Sequence, residues 1–372
     1  MRILYLANIR LPTEKAHGIQ IMKTCEAFAR LGHEVELVVP TRKNFIADDP
    51  FSYYGVERNF TLTTLHAPDL VRFGPLGFLF SALWFSERAR LRRAFWRADV
   101  IYSRDAFVLA QYSLLGRRLV FEAHAKPSAS SRFVAKHAYR TVVISNGLKE
   151  AYVAAGIPSG RIVVAPDAVD EHRFDAVGSR AGAREVLGFA PDENLVVYVG
   201  HLYARKGADT LAEAAAQVPN ARVVFVGGTT EDLAHFRARW GNAPNITIVG
   251  YVPPADVPHY LRAADVLVIP NSGKDEDANR FTSPMKLFEY MASGTPIVAS
   301  DVPALREVLT SDEALFAAPD DAQALAEGVK QVFANRAAAI TRAAAAHQKA
   351  MAYTWAKRAE RIVKSLMHHG RE

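Results

Sequence analysis

The run Ser283-Pro284-Met285-Lys286-Leu287-Phe288-Glu289-Tyr290-Met291-Ala292-Ser293-Gly294-Thr295-Pro296 holds residue types that could bind a phosphorylated ligand. Ser283 is a favoured N-cap, Pro284 suits the first helical position, and Gly294 with Pro296 ends a helix. A helix opening there offers free backbone N–H groups and a partial positive charge, a site for a diphosphate. Lys286, Glu289, Tyr290 and Ser293 are spaced i, i+3, i+4, i+7 and so share one helix face. A carboxylate one or two turns in, at Glu289, could accept hydrogen bonds from ribose hydroxyls while phosphates sit at the helix end. A second segment, Gly200-His201-Leu202-Tyr203-Ala204-Arg205-Lys206-Gly207, follows a strand-like run. Arg205 and Lys206 supply cations for a departing diphosphate. Alone such a pair reads as a solvated turn; beside the helix at the same end of the same sheet, it reads as part of a site.

The elements that must hold these residues are strands alternating with helices. Short runs rich in Val and Ile occur at Ile3–Ala7, Val35–Val39, Val100–Tyr102, Leu119–Glu122, Thr141–Ile144 and Ile162–Ala165. They recur at Val196–Val199, Val223–Val226, Ile246–Val249, Val266–Ile269 and Ile297–Ala299. Apolar on both faces, they read as parallel strands covered by helices such as Ile19–Leu31 and Ala208–Gln217. The βαβα pattern appears twice, with a seam near residues 170–190. The fold class is therefore α/β: two doubly wound Rossmann-like domains, with a ligand expected in a cleft at the carboxyl ends of both sheets. The expected bounds are 1–172 and 173–351, with a C-terminal helix at about 352–372 packing back on the first domain.

The 372 residues are 50% apolar and 23% charged, which suits a folded chain of two domains. The lone Cys25 excludes a disulfide framework or a cysteine-based zinc cluster and reads as a core residue. Met1 leads straight into a strand-like run, so a cytoplasmic protein is expected. Residues 1–175 hold 24 Lys and Arg against 17 Asp and Glu, whereas residues 176–372 hold 21 against 22. The basic excess is densest at Arg88, Arg90, Arg92, Arg93 and Arg97, just after the apolar run Leu76–Phe85. That run is about half the ~20 residues that span a bilayer. Residues 76–97 read either as a peripheral contact with an anionic membrane surface or as an ordinary helix with one buried and one solvated face. No nucleic-acid-binding signature is present, so nucleic acid is not an expected partner.

Taken together, these segments resemble the retaining glycosyltransferases of family 4, enzymes with the two-domain GT-B fold. Val199-Gly200-His201-Leu202 with Lys206-Gly207 resembles the family's G-R-L…K-G element, and Phe288 to Ser300 its E-A-M-A-x-G-x-P-V-V helix and strand. Asn245–Val252 and Ala263–Pro270 resemble the elements between, and Pro166-Asp167-Ala168-Val169-Asp170 the turn before the interdomain linker. The likeness runs from about residue 2 to about residue 362.

The resemblance implies a nucleotide-sugar donor, a UDP- or GDP-sugar, on the second domain, and a glycan or lipid-linked acceptor on the first. It implies that Lys206 neutralises the leaving diphosphate, Glu289 holds the ribose, and the peptide groups of Ser283, Pro284 and Met285 touch the phosphates. Tyr251 and Val252 would border the base, Gly18 would let its loop approach the donor closely, and His124 would lie near the reacting carbon. Asn8, His17 and Arg104 are acceptor-side candidates, although Arg104 reads equally well as a partner of Asp105, and an isolated His124 as a structural histidine. His201 stands where the family usually has arginine, with Arg205 as a candidate replacement for the charge. Phe281 stands where the family has the first of two glutamates, and Glu276 and Asp277 are candidate replacements.

Asp275-Glu276-Asp277 spells an acidic metal-binding pair but reads as an acidic loop, so no metal or other cofactor is expected to be required. The expected activity is retaining transfer of a sugar in glycolipid, polysaccharide or envelope assembly. Alternatives are a non-catalytic nucleotide-sugar-binding subunit and a GT-B-like epimerase or phosphorylase.

Overall fold

A computed structural model of the chain describes residues 1–70 and 73–367. The final residues of the expected C-terminal helix, 368–372, lie outside the described residues. Two compact units result: Met1–Pro166 with Trp355–Glu372, and Asp167–Thr354. The chain thus leaves the first unit six residues before the expected bound at 172. The reason is local. The Asp167 N–H donates to Ser283 Oγ at 3.0 Å, and Val169 bridges Thr354, so residues 167–169 are tied to the second unit.

The first unit holds a seven-stranded parallel sheet: β1 (Arg2–Leu6), β2 (Glu34–Pro40), β3 (Thr61–Leu65), β4 (Val100–Ser103), β5 (Leu119–Ala123), β6 (Arg140–Val143) and β7 (Ile162–Val164), in the order β3-β2-β1-β4-β5-β6-β7. The second holds a six-stranded parallel sheet of β8 (Leu195–Val199), β9 (Arg222–Val226), β10 (Ile246–Gly250), β11 (Val266–Ile269), β12 (Ile297–Ser300) and β13 (Leu315–Ala317), in the order β10-β9-β8-β11-β12-β13. In each sheet the order reverses beside the first strand, at β1/β4 and at β8/β11. Crevices form there because the flanking crossovers run to opposite faces.

Alternation along β8 shows why both faces must be covered. Leu195, Val197 and Val199 enter one core with Leu287, Phe288 and Met291, while Val196 and Tyr198 enter the other with Leu211, Phe225 and Leu325. Strands β3 and β13 fall outside the expected set. The first, Thr61-Leu62-Thr63-Thr64-Leu65, is a polar edge strand, and the second, Leu315-Phe316-Ala317, is three residues long with no Val or Ile, so neither carries the signal of the other strands.

The C-terminal helix Trp355–Met367 belongs to the first unit and packs on the helix Ala16–Arg30. It buries Trp355, Arg358, Ala359, Ile362, Val363 and Leu366, one stripe at helical spacing. Its last turn is held by arginines: Arg140 Nε donates to Ser365 O at 3.1 Å and Arg118 Nη2 to Leu366 O at 2.9 Å. Cations there meet the negative end of the helix.

Candidate active site

In the second unit, the helix Met285–Ser293 opens at the carboxyl side of its sheet, beyond β11. It starts one residue later than the sequence suggests. Pro284 is the N-cap, and no side chain caps the helix. Ser283 is not the cap, because its hydroxyl already accepts the Asp167 N–H at 3.0 Å. The Leu287 N–H bonds Pro284 O, whereas those of Met285 and Lys286 precede any intrahelical acceptor.

The residues expected on one helix face divide into two pairs. Tyr290 and Ser293 are fully buried and structural: Tyr290 Oη accepts the Val199 N–H at 2.7 Å, and Ser293 Oγ donates to Tyr290 O at 2.7 Å. Tyr290 docks the helix on β8, and Ser293 closes its last turn. Lys286 and Glu289 remain as functional candidates. Glu289 is positioned by Arg173, whose Nη2 lies 3.3 Å from its carboxylate and donates to Pro254 O at 2.7 Å. Arg173 was not singled out from the sequence, since it lies 116 residues before Glu289 in a segment without a motif.

Lys206 ends a short 3-10 turn, Ala204–Lys206, after β8. Gly207 follows with φ of 72°, and a Cβ there would stand 1.6 Å from Pro270 O. Only glycine lets the turn press against the end of β11. Burial, reinforced by Arg205, lowers the Lys206 ammonium to about 8, with Asp275 and Asp167 pulling the other way. Arg205 itself is exposed, its guanidinium 5.9 Å from the Tyr203 ring centre. His201 stacks on Tyr203 at 4.9 Å, and its Nδ1 lies 3.9 Å from the Asp232 carboxylate. Tyr251 follows β10 and is half exposed, while Val252 packs on the core.

Phe281 is buried at the end of a π-helical turn, Asp277–Phe281, so an apolar side chain fits its position. Glu276 and Asp277 are exposed, and Asp275 Oδ1 accepts the Ala278 N–H at 2.8 Å. Asn271, two residues past β11, is 0% exposed, and its amide has no protein hydrogen-bond partner among the described residues. A buried polar side chain without a protein partner costs stability unless water, an ion or a ligand supplies the missing bonds.

In the first unit, residues from β4, from the end of β5, from the helix Ala16–Arg30 and from the C-terminal helix converge on Glu122. This fully buried carboxylate accepts from Gln20 Nε2 (2.6 Å), Arg358 Nη2 (2.7 Å), His124 Nε2 (2.6 Å) and the Tyr102 hydroxyl. Burial alone would raise its pKa, yet Arg358 and the His124 hydrogen bond hold it well below the usual carboxylate range. His124 is lowered to about 4 by burial and by Arg104. It is therefore neutral at pH 7, and its Nε2 proton points at Glu122, which leaves Nδ1 as an acceptor.

Two expectations change here, for Arg104 and Gly18. Arg104 does not pair with Asp105: its Nη1 donates to Gln20 Oε1 at 2.6 Å, and Asp105 caps the helix Ala106–Ala110. Gly18 lies inside the helix Ala16–Arg30, and a Cβ there would stand 2.1 Å from Tyr54 Oη. Its missing side chain thus makes room for Tyr54, which bonds both the N–H and the carbonyl of Thr13 at 2.7 Å, rather than for a ligand. Asn8 Oδ1 accepts from Arg42 Nη2 at 2.8 Å. His17, in the first helical turn, is lowered to about 4 by burial, Arg104 and Lys15.

Two doubly wound parallel units, the second with an anion-receptive helix start at its switch point, place the chain in the GT-B class. Residues 18–173 match the family model described as Glycosyltransferase Family 4, and residues 193–335 match that described as Glycosyl transferases group 1. The chain belongs to this glycosyltransferase family. It is 26% identical over 377 residues to a D-inositol 3-phosphate glycosyltransferase of Mycolicibacterium gilvum, covering 91% of this chain and 81% of the relative. Its fold is similar to that of a sucrose-phosphate synthase from Thermosynechococcus elongatus, with a TM-score of 0.78 at 20% identity over 98% of each chain. It is also similar to that of Anabaena Alr3699/HepE in complex with UDP-glucose, with a TM-score of 0.76 at 17% identity over 98% of this chain and 99% of the other.

Proposed function

We propose that this glycosyltransferase takes its sugar from a nucleoside-diphosphate donor, a UDP- or GDP-sugar, and transfers it with retention to a lipid-linked or glycan acceptor. The observation that carries the donor reading is the uncapped start of the helix Met285–Ser293, joined by two lysines, Lys206 and Lys286, whose ammonium groups are lowered by burial. The amides of Met285 and Lys286 and the Lys206 ammonium receive the diphosphate. Glu289, steadied by Arg173, accepts the ribose hydroxyls, and Tyr251 with Val252 borders the base. In the reaction the bond from the sugar's anomeric carbon to the diphosphate breaks, and the acceptor oxygen bonds that carbon on the same face. The acceptor proton passes to the departing phosphate oxygen. Preformed positive charge at the leaving group stabilises that step, and no divalent metal is required for it. The neutral His124, fixed by Glu122, stands on the acceptor side.

The acceptor reading draws on the helix Gly74–Arg90. It turns Gly77, Ser81, Ala82, Ser86 and Ala89 inward with Phe85, and turns Leu76, Phe80, Leu83 and Trp84 outward. That is the reverse of a helix packed on a soluble domain. Together with the exposed arginines Arg88, Arg93 and Arg97, the outward face suits an anionic bilayer surface carrying the acceptor.

Thermal denaturation with UDP-, GDP- and ADP-sugars tests the donor assignment. A true donor at ~100 times its dissociation constant stabilises by ~2.7 kcal/mol. No shift with any of them refutes the assignment. Dialysis against EDTA is expected to leave transfer intact, and restoration of a lost activity by Mg²⁺ or Mn²⁺ would contradict the metal-independent reading.

A further inference from the structure

Lys286 is the one lysine on the helix Met285–Ser293, and its Nζ is buried without a hydrogen-bond partner among the described residues. It lies 4.1 Å from the centre of the Tyr198 ring and 3.7 Å from the point where a Cβ on Gly200 would stand. Tyr198 is itself fixed, its hydroxyl donating to His201 O at 2.6 Å. A π face only partly compensates a desolvated ammonium, which still lacks acceptors for its protons. Burial and the charge on Lys206 push this ammonium well below the usual lysine range. The side chain is therefore placed as a ligand group would be: buried, and next to a second cation.

The residue after Gly200 explains the need. Where the family pattern has arginine, this chain has His201, whose ring is engaged by Tyr203 at 4.9 Å and whose Nδ1 lies 3.9 Å from Asp232. The charge that would extend from position 201 is missing, and a lysine arriving from another helix occupies the space beside the same glycine. We propose that Lys286 is the second diphosphate-binding cation of this transferase, supplying from the helix Met285–Ser293 the charge that position 201 lacks. This inference rests on the nucleoside-diphosphate donor reading. It makes Lys286 specific for the diphosphate rather than for the base or the ribose.

The test uses the full chain with uridine, UMP and UDP (and the guanosine series in parallel), read by calorimetry and by thermal shift. For the wild type, UDP binds more tightly than UMP, and UMP more tightly than uridine. Lys286→Met is expected to lose about 30-fold in UDP affinity, as for a charge-assisted hydrogen bond, and little or nothing for uridine. The unliganded variant is expected to melt no lower than the wild type, because an unpaired buried ammonium has been removed. Adding His201→Arg to Lys286→Met is expected to return about tenfold of the lost affinity. Lys286→Gln serves as a second variant should the methionine form not fold. UDP affinity within twofold of wild type in both variants overturns the inference while leaving the donor reading in place. So does an equal loss for UDP and uridine. A wild type that binds no nucleoside diphosphate overturns both.

Discussion

At the scale of single residues, Lys206 and His124 make opposite uses of burial. Lys206 is lowered to about 8. In the unliganded protein it is charged below that value and loses its proton as pH rises through it. Donor affinity and kcat/KM are therefore expected to fall above pH 8, because the species that attracts the diphosphate disappears; a flat profile from pH 7 to 9.5 would count against the assignment. Lys206→Ala is expected to cost about 2–4 kcal/mol of transition-state stabilisation, roughly 30- to 1000-fold in rate, with the fold intact by circular dichroism. His124, lowered to about 4, is already neutral in the physiological range. Its imidazole resonances in a two-dimensional NMR spectrum are expected not to titrate between pH 5.5 and 8, whereas a midpoint near 6.5 would mean that the Glu122 cluster does not hold it. Asn271 stands beside these two, its buried amide without a protein partner among the described residues.

At the scale of elements, the loops and helices around the two switch points owe their positions to tight, checkable contacts. Gly207→Ala puts a methyl against Pro270 O at a left-handed φ, so a loss of at least about 1–3 kcal/mol is expected by urea unfolding, along with misplacement of Lys206. Arg358 ties the C-terminal helix to Glu122 inside the first unit. Arg358→Leu strands a buried carboxylate and is expected to cost about 3–5 kcal/mol, part of which a second change, Glu122→Gln, restores. Much of this level was legible in the sequence. The Val- and Ile-rich strands and the helix beginning near Pro284 follow from periodicity and end signals alone. What escaped depends on partners distant in the chain. Ser283 reads as a cap until Asp167 is seen to occupy its hydroxyl, and Gly18 reads as a ligand approach until Tyr54 is found in its place. Arg173 has no motif and acquires meaning only beside Glu289. The edge strand β3 is spelled with threonines because half of it needs no apolar cover.

At the scale of the whole molecule, the proposed bilayer contact joins the outward aromatic face of the helix Gly74–Arg90 to the basic excess of the first 175 residues. The protein is expected to float with liposomes containing anionic lipid and to stay behind with neutral ones, with binding reduced by salt. Replacing Leu76, Phe80 and Trp84 by serine is expected to abolish flotation without changing donor binding. Flotation by the triple variant would assign the contact elsewhere. The bridge between Val169 and Thr354 carries a different consequence. The segment from Asp167 to Thr354 enters and leaves at neighbouring points, so it has the topology of an insert spliced into a host whose last helix returns from beyond it. Residues 167–354 produced alone should consequently fold as a free-standing nucleotide receptor, whereas the host needs both of its pieces: cut after Thr354, it would lose the arginine that neutralises its deepest acid.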